Sequence, residues 1–88
     1  MLSAKDNIEN TYNNALEDEL RFLTRRREID SSLTIEDLET TLEWLHIQDG
    51  DNWDGRGTLQ QTAMDAQIAA YEIFISNWKK EIANTRKV

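Results

Sequence analysis

The sequence predicts an all-α fold of three helical segments, two long and one short. The chain of 88 residues has no proline, and its three glycines all lie between positions 50 and 57. The long stretches on either side are therefore free of helix breakers. Within them, apolar residues recur at spacings of three and four, which is typical of a helix with a buried face. We expect a single domain over residues 1–88.

The first helix is predicted over residues 4–28. Ser3 can cap its N-terminus, and an acidic residue three positions later suits the positive end of the helix dipole. Its apolar stripe consists of Leu2, Ile8, Tyr12, Ala15, Leu16, Leu20 and Leu23. A basic cluster, Arg25, Arg26 and Arg27, falls in the last turn, where positive charge opposes the negative end of the dipole.

The second helix is predicted over residues 35–48, and its start carries the clearest local signal in the chain. Leu33 and Leu38 occupy the two positions of a hydrophobic staple around the capping residue Thr34. Asp37 stands at the third helical position, where it can complete a capping box. The apolar residues that follow form a narrow seam suited to coiled-coil-like packing: Ile35, Leu38, Leu42 and Leu45.

The third helix is predicted over residues 58–83, with Thr58 and Gln61 as its capping box. Its main apolar seam consists of Met64, Ile68, Tyr71, Ile75, Trp78 and Ile82. Further apolar side chains widen this surface around the helix: Ala63, Ala66, Ala70, Ile73 and Phe74. A helix of this kind requires neighbours on more than one side.

The lengths of the helices predict that one copy of the chain leaves apolar surface bare. At 1.5 Å per residue the long helices extend about 37–40 Å and the short one about 20 Å. We therefore expect a helical bundle or antiparallel helical assembly completed by oligomerisation into a dimer or tetramer. The residues assigned to its interface are Met64, Ile68, Tyr71, Ile75 and Trp78. A closed monomeric three-helix bundle is the alternative.

The predicted loop 49–57 has a composition that differs from the rest of the chain. Its candidate oxygen ligands for calcium are Asp49, Asp51 and Asp54, although their spacing departs from the EF-hand pattern. Turn formation by Asp and Gly, with Trp53 folded onto the helix ends, explains the same residues without a ligand. A third explanation is that Trp53 and Arg56 face a partner, since both residue types are common in binding hot spots.

Charge is distributed unevenly along a chain with a formal net charge of −7. The basic cluster at 25–27 directly precedes an acidic stretch that includes Glu36, Asp37, Glu39 and Glu43. These opposite charges can pair between neighbouring copies and set their orientation, or they can form ordinary solvated surfaces. The negative net charge disfavours direct binding to nucleic acid or to a membrane surface.

The sequence offers no convincing catalytic constellation. It has one histidine and no cysteine, and we expect a non-enzymatic protein-interaction or structural module without a cofactor. One alternative is an acidic decoy of nucleic acid, in the manner of small inhibitors of phage origin. Another is a magnesium enzyme similar to the all-helical nucleotide pyrophosphohydrolases, because Glu36 and Glu39 fit their first carboxylate pair; the second pair is missing. Without a signal peptide or membrane-spanning pattern, a cytoplasmic setting is the default expectation.

Overall fold

The computed structural model describes residues 4–51 and 58–86, and it describes side chains over 9–49 and 60–85. Within these ranges the chain forms three α-helices and no strand: α1 (Ala4–Ile29), α2 (Ile35–Asp51) and α3 (Thr58–Arg86). The predicted all-α class with two long helices and one short helix is confirmed.

The second helix runs past its predicted end at 48 because its last turns are held by α3. The Gln61 side chain of α3 donates a 2.6 Å hydrogen bond to Asp49 of α2. Gly50 therefore lies within the last turn of α2, where a glycine costs only about 1 kcal/mol relative to alanine. The third helix likewise continues past 83 to Arg86.

The connection between α1 and α2 is a short turn organised by Asp30. Its backbone N–H donates to the carbonyl of Arg26 at 2.9 Å, and its own carbonyl accepts the N–H of Leu33 at 3.2 Å. Its carboxylate accepts hydrogen bonds from the backbone N–H of Ser32 at 3.0 Å and from the hydroxyl at 2.6 Å. The hydrogen bonds from Ser32 lower the pKa of Asp30, because they favour the charged form.

The start of α2 has the reciprocal geometry of a capping box. The backbone N–H of Thr34 donates to the Asp37 carboxylate at 3.0 Å, and the N–H of Asp37 donates to the Thr34 hydroxyl at 3.1 Å. The staple residues Leu33 and Leu38 are both buried. The start predicted for this helix follows from these local interactions.

The third helix lies between the other two. Residues later in α1 contact residues later in α3: Glu19 contacts Gln67, and Arg27 contacts Glu81. The two helices therefore run parallel. Residues late in α2 contact residues early in α3: Asp49 contacts Gln61, whereas Glu39 contacts Lys79. The α2 and α3 helices are therefore antiparallel. Between their described residues, α1 and α2 make no contact comparable to those each makes with α3.

The core is formed where α3 meets its two neighbours. Its buried residues are Leu23, Leu33, Leu38, Leu45, Ile68, Tyr71 and Ile75. Ala66 and Ala70 of α3 are also fully buried. At 100° per residue, Ala70 lies about 140° around α3 from Ile75. The two-sided apolar surface predicted for this helix is therefore largely covered within one chain, except at Ile73 and Ile82, which are 41% and 38% exposed.

Candidate functional site

The seam of α3 that the sequence assigns to an interface lies largely inside the chain. Ile68, Tyr71 and Ile75 are buried, while Met64 and Trp78 are partly buried and pack against the same core. In this conformation α1 and α2 supply the neighbours that the width of the seam requires. These residues are therefore largely unavailable to a partner while the chain keeps this fold.

The predicted loop residues Trp53, Asp54 and Arg56 lie outside the described part of the chain, as does the side chain of Asp51. Of the candidate metal ligands, only the side chain of Asp49 is described, and it accepts the hydrogen bond from Gln61. Among the described residues no group of three or more His, Cys, Asp or Glu side chains is placed to hold a metal ion.

Arg27 joins the C-terminal end of α1 to α3. Its Nη1 atom lies 2.6 Å from Oε2 of Glu81, and its guanidinium carbon lies 4.2 Å from the centroid of the Trp78 ring. Phe74 packs edge-on against Trp78, with ring centroids 6.1 Å apart. Arg27 thus combines an ion pair with a cation–π contact inside one chain.

Two further pairs join α2 to α3. Nζ of Lys79 donates to Oε2 of Glu39 at 3.3 Å, and Nε2 of His46 lies 3.7 Å from Oε1 of Glu72. All four side chains are about half exposed, so each pair contributes little to stability. Glu39 is therefore engaged by a lysine of its own chain.

A partly buried polar contact lies between α1 and α3. Burial raises the pKa of Glu19, and a hydrogen bond with Gln67 opposes this effect. Burial also raises the pKa of Tyr71, with a smaller contribution from the nearby Glu19 carboxylate, while Arg26 opposes it. The charged form of Glu19 is thus disfavoured by its position against α3.

Large apolar side chains are exposed on all three helices: Ile73 and Ile82 of α3 are 41% and 38% exposed, and those of α2 and α1 are more so. On α2, Trp44 is 56% exposed and Ile47 is 53% exposed; on α1, Phe22 is 55% exposed and Ile29 is 76% exposed. We name two surfaces that contain these residues and their neighbours on the same helix face. The α2 stripe consists of Thr40, Glu43, Trp44 and Ile47, and the α1 stripe consists of Phe22, Arg25, Arg26 and Ile29.

The sequence held a signal for the α2 stripe that its interpretation missed. Trp44 and Ile47 fall outside the seam of α2, about 120° and 180° around the helix from Leu38. Large apolar residues so placed on a short helix indicate a second apolar face. The seam of the same helix has the more regular spacing and therefore dominates the apolar periodicity of the sequence.

No protein-family model matches the chain, and no curated protein or solved structure is similar enough to count as a match. None of the helices described here combines the length and apolar character required to cross a membrane. The site is therefore interpreted from its own geometry and charge.

Proposed function

We propose that this chain is a non-enzymatic interaction module that associates with a second copy of itself through helix–helix packing. The observation that supports the proposal is the exposed apolar surface on the flanking helices, carried by Trp44, Ile47, Phe22 and Ile29. Each of these side chains is more than half exposed in the single chain. Association would remove this surface from water at a gain of about 25 cal/mol per Å² of apolar area.

The arrangement of the helices gives a physical reason for association. In a closed three-helix bundle every helix packs against both others, whereas among the described residues of this chain only α3 has two substantial neighbours. α1 and α2 each use one side on α3 and retain an outer side with apolar residues. A chain of this size has limited core of its own, and partner chains are a common source of further burial.

The proposal includes a cytoplasmic setting and a homodimer as the smallest assembly. An interaction module is favoured over a magnesium enzyme because Glu39, one of the two candidate carboxylate ligands, forms an ion pair with Lys79. Thermal stabilisation by Mg²⁺ or Ca²⁺ would instead support a metal site. Salt-sensitive capture of a basic nucleic-acid-binding protein would support the decoy alternative.

Sedimentation equilibrium of wild type and a double variant tests the proposal. We expect Trp44→Gln with Ile47→Gln to weaken self-association at least about tenfold, because exposed apolar anchors carry much of the energy of an interface. Ile82→Gln is the control, since Ile82 is 38% exposed on α3 and lies outside both stripes. Circular dichroism verifies that each variant keeps its helical content.

Two outcomes would contradict the proposal. Wild-type protein that sediments as a monomer up to high micromolar concentration would exclude self-association as its function. Equal weakening by Ile82→Gln and by the Trp44/Ile47 double variant would show that the outer face of α2 is not the interface.

A further inference from the structure

We infer that the α1 stripe of one copy packs against the α2 stripe of a second copy, an inference that rests on the self-association proposed above. Each stripe occupies positions i, i+3, i+4 and i+7 of its helix, which brings its residues onto one face. An apolar face with this spacing is the usual means by which a helix docks along an apolar surface. The structure thus offers two exposed faces of matching length, each about two turns long.

The large apolar residues of both stripes lie outside the surfaces that pack against α3, whereas Arg26 of the α1 stripe is partly buried near Tyr71 of α3. Phe22 and Ile29 lie about 100° and 120° around α1 from the fully buried Leu23. Trp44 and Ile47 lie about 120° and 180° around α2 from the fully buried Leu38. Both faces therefore remain accessible while the core stays intact.

The charges of the two stripes are complementary. Arg25 and Arg26 stand at the centre of the α1 stripe, and Glu43 stands at the centre of the α2 stripe. Arg25 and Glu43 are exposed, and neither forms an ion pair with another residue in the described part of the chain. Because these charges are central in both stripes, they meet whether the two helices run parallel or antiparallel.

The charges also favour this pairing over the two symmetric ones. Packing of two α1 stripes would bring the arginines of both copies together, and packing of two α2 stripes would bring together the Glu43 carboxylates. Like charges across an interface disfavour it. Since every copy carries both stripes, a dimer with a two-fold axis would contain the mixed contact twice.

A charge swap between two variants tests the pairing. In a dimer of the Arg25→Glu variant, a carboxylate at position 25 faces Glu43 in both contacts. In a dimer of the Glu43→Arg variant, a guanidinium at position 43 faces Arg25 in both contacts. We expect each variant alone to self-associate at least about tenfold more weakly than wild type, because two contacts change from attraction to repulsion. In an equimolar mixture the reversed charges meet in one contact and the original charges meet in the other, so association recovers.

Matched controls and separate readouts distinguish this inference from the broader proposal. Lys80→Glu and Glu9→Arg make the same charge changes at exposed positions outside both stripes, and we expect wild-type affinity for them and for their mixture. If wild type self-associates but the stripe variants do not weaken it, or if their mixture does not recover, the pairing is wrong and self-association stands. If wild type is monomeric throughout, both are wrong.

Discussion

Removal of the Arg27 guanidinium is expected to lower the free energy of unfolding by about 1 kcal/mol. The structure gives this side chain two interactions: the 2.6 Å ion pair with Glu81 and the contact over the Trp78 ring at 4.2 Å. A cation–π contact at a partly exposed site contributes about 0.5–1 kcal/mol or somewhat more. An exposed ion pair contributes about 0.2–1 kcal/mol. The side chains of Arg27 and Glu81 are 38% and 61% exposed. Because solvent screens such a pair, its contribution to stability lies in the lower part of this range.

Urea denaturation followed by circular dichroism measures this effect for Arg27→Ala. The expected loss corresponds to a decrease in Tm of about 4–8 °C for a domain of this size. Arg21→Ala is the matched control, because Arg21 forms only local pairs with Glu17 and Asp18 on the surface of α1, and we expect about 0.5 kcal/mol or less. An Arg27→Ala variant within 0.5 kcal/mol of wild type (about the scatter of neutral surface changes) would refute this account.

Three further predictions concern the core, the start of α2 and the contact between α1 and α3. Leu38→Ala is expected to lower the free energy of unfolding by about 2–5 kcal/mol, because it opens a cavity at a fully buried position; a loss below 1 kcal/mol in urea denaturation would contradict this burial. Thr34→Ala removes the hydroxyl that accepts the Asp37 N–H, and a thermal melt should show a loss of about 0.5–2 kcal/mol, whereas Thr85→Ala, at an exposed position near the end of α3 and outside both stripes, should cause no loss. Glu19→Gln is expected to stabilise the fold at neutral pH. The pKa of Glu19 is raised on folding, so its charged form disfavours the folded state, and this penalty fades as pH falls through the folded pKa towards 4.5. Melts from pH 7 to pH 4 should therefore show the advantage of the variant shrinking in acid, and an advantage that grows in acid would contradict the assignment.

The sequence was sufficient to predict the features that depend on neighbouring residues. Leu33, Thr34, Asp37 and Leu38 lie within six positions, and their staple and capping box set the start of α2 without help from the rest of the fold. The absence of proline and the grouping of the glycines likewise define two long stretches that can be helical, and the start of α2 divides the first of them into two helices. The end of α2 depends on Asp49 meeting a residue of α3, which no local pattern reveals.

The candidate site was harder to predict because it depends on how the helices are rotated against each other. The seam around Ile68 and Ile75 shows that α3 requires two neighbours, but periodicity does not say whether they come from the same chain or from another copy. Arg27 stands two positions after Arg25 in the sequence, yet Arg27 packs on Trp78 and Arg25 is exposed. The choice follows from which side of α1 faces α3, a property of tertiary packing.

Self-association of the chain is tested most directly by molar mass from light scattering over a concentration series. The measurement is made on wild-type protein with and without added Mg²⁺ and Ca²⁺. The account predicts a mass that rises from 10.3 kDa for one chain towards twice that value and is indifferent to either metal. A mass that stays at that of one chain at every concentration would contradict it.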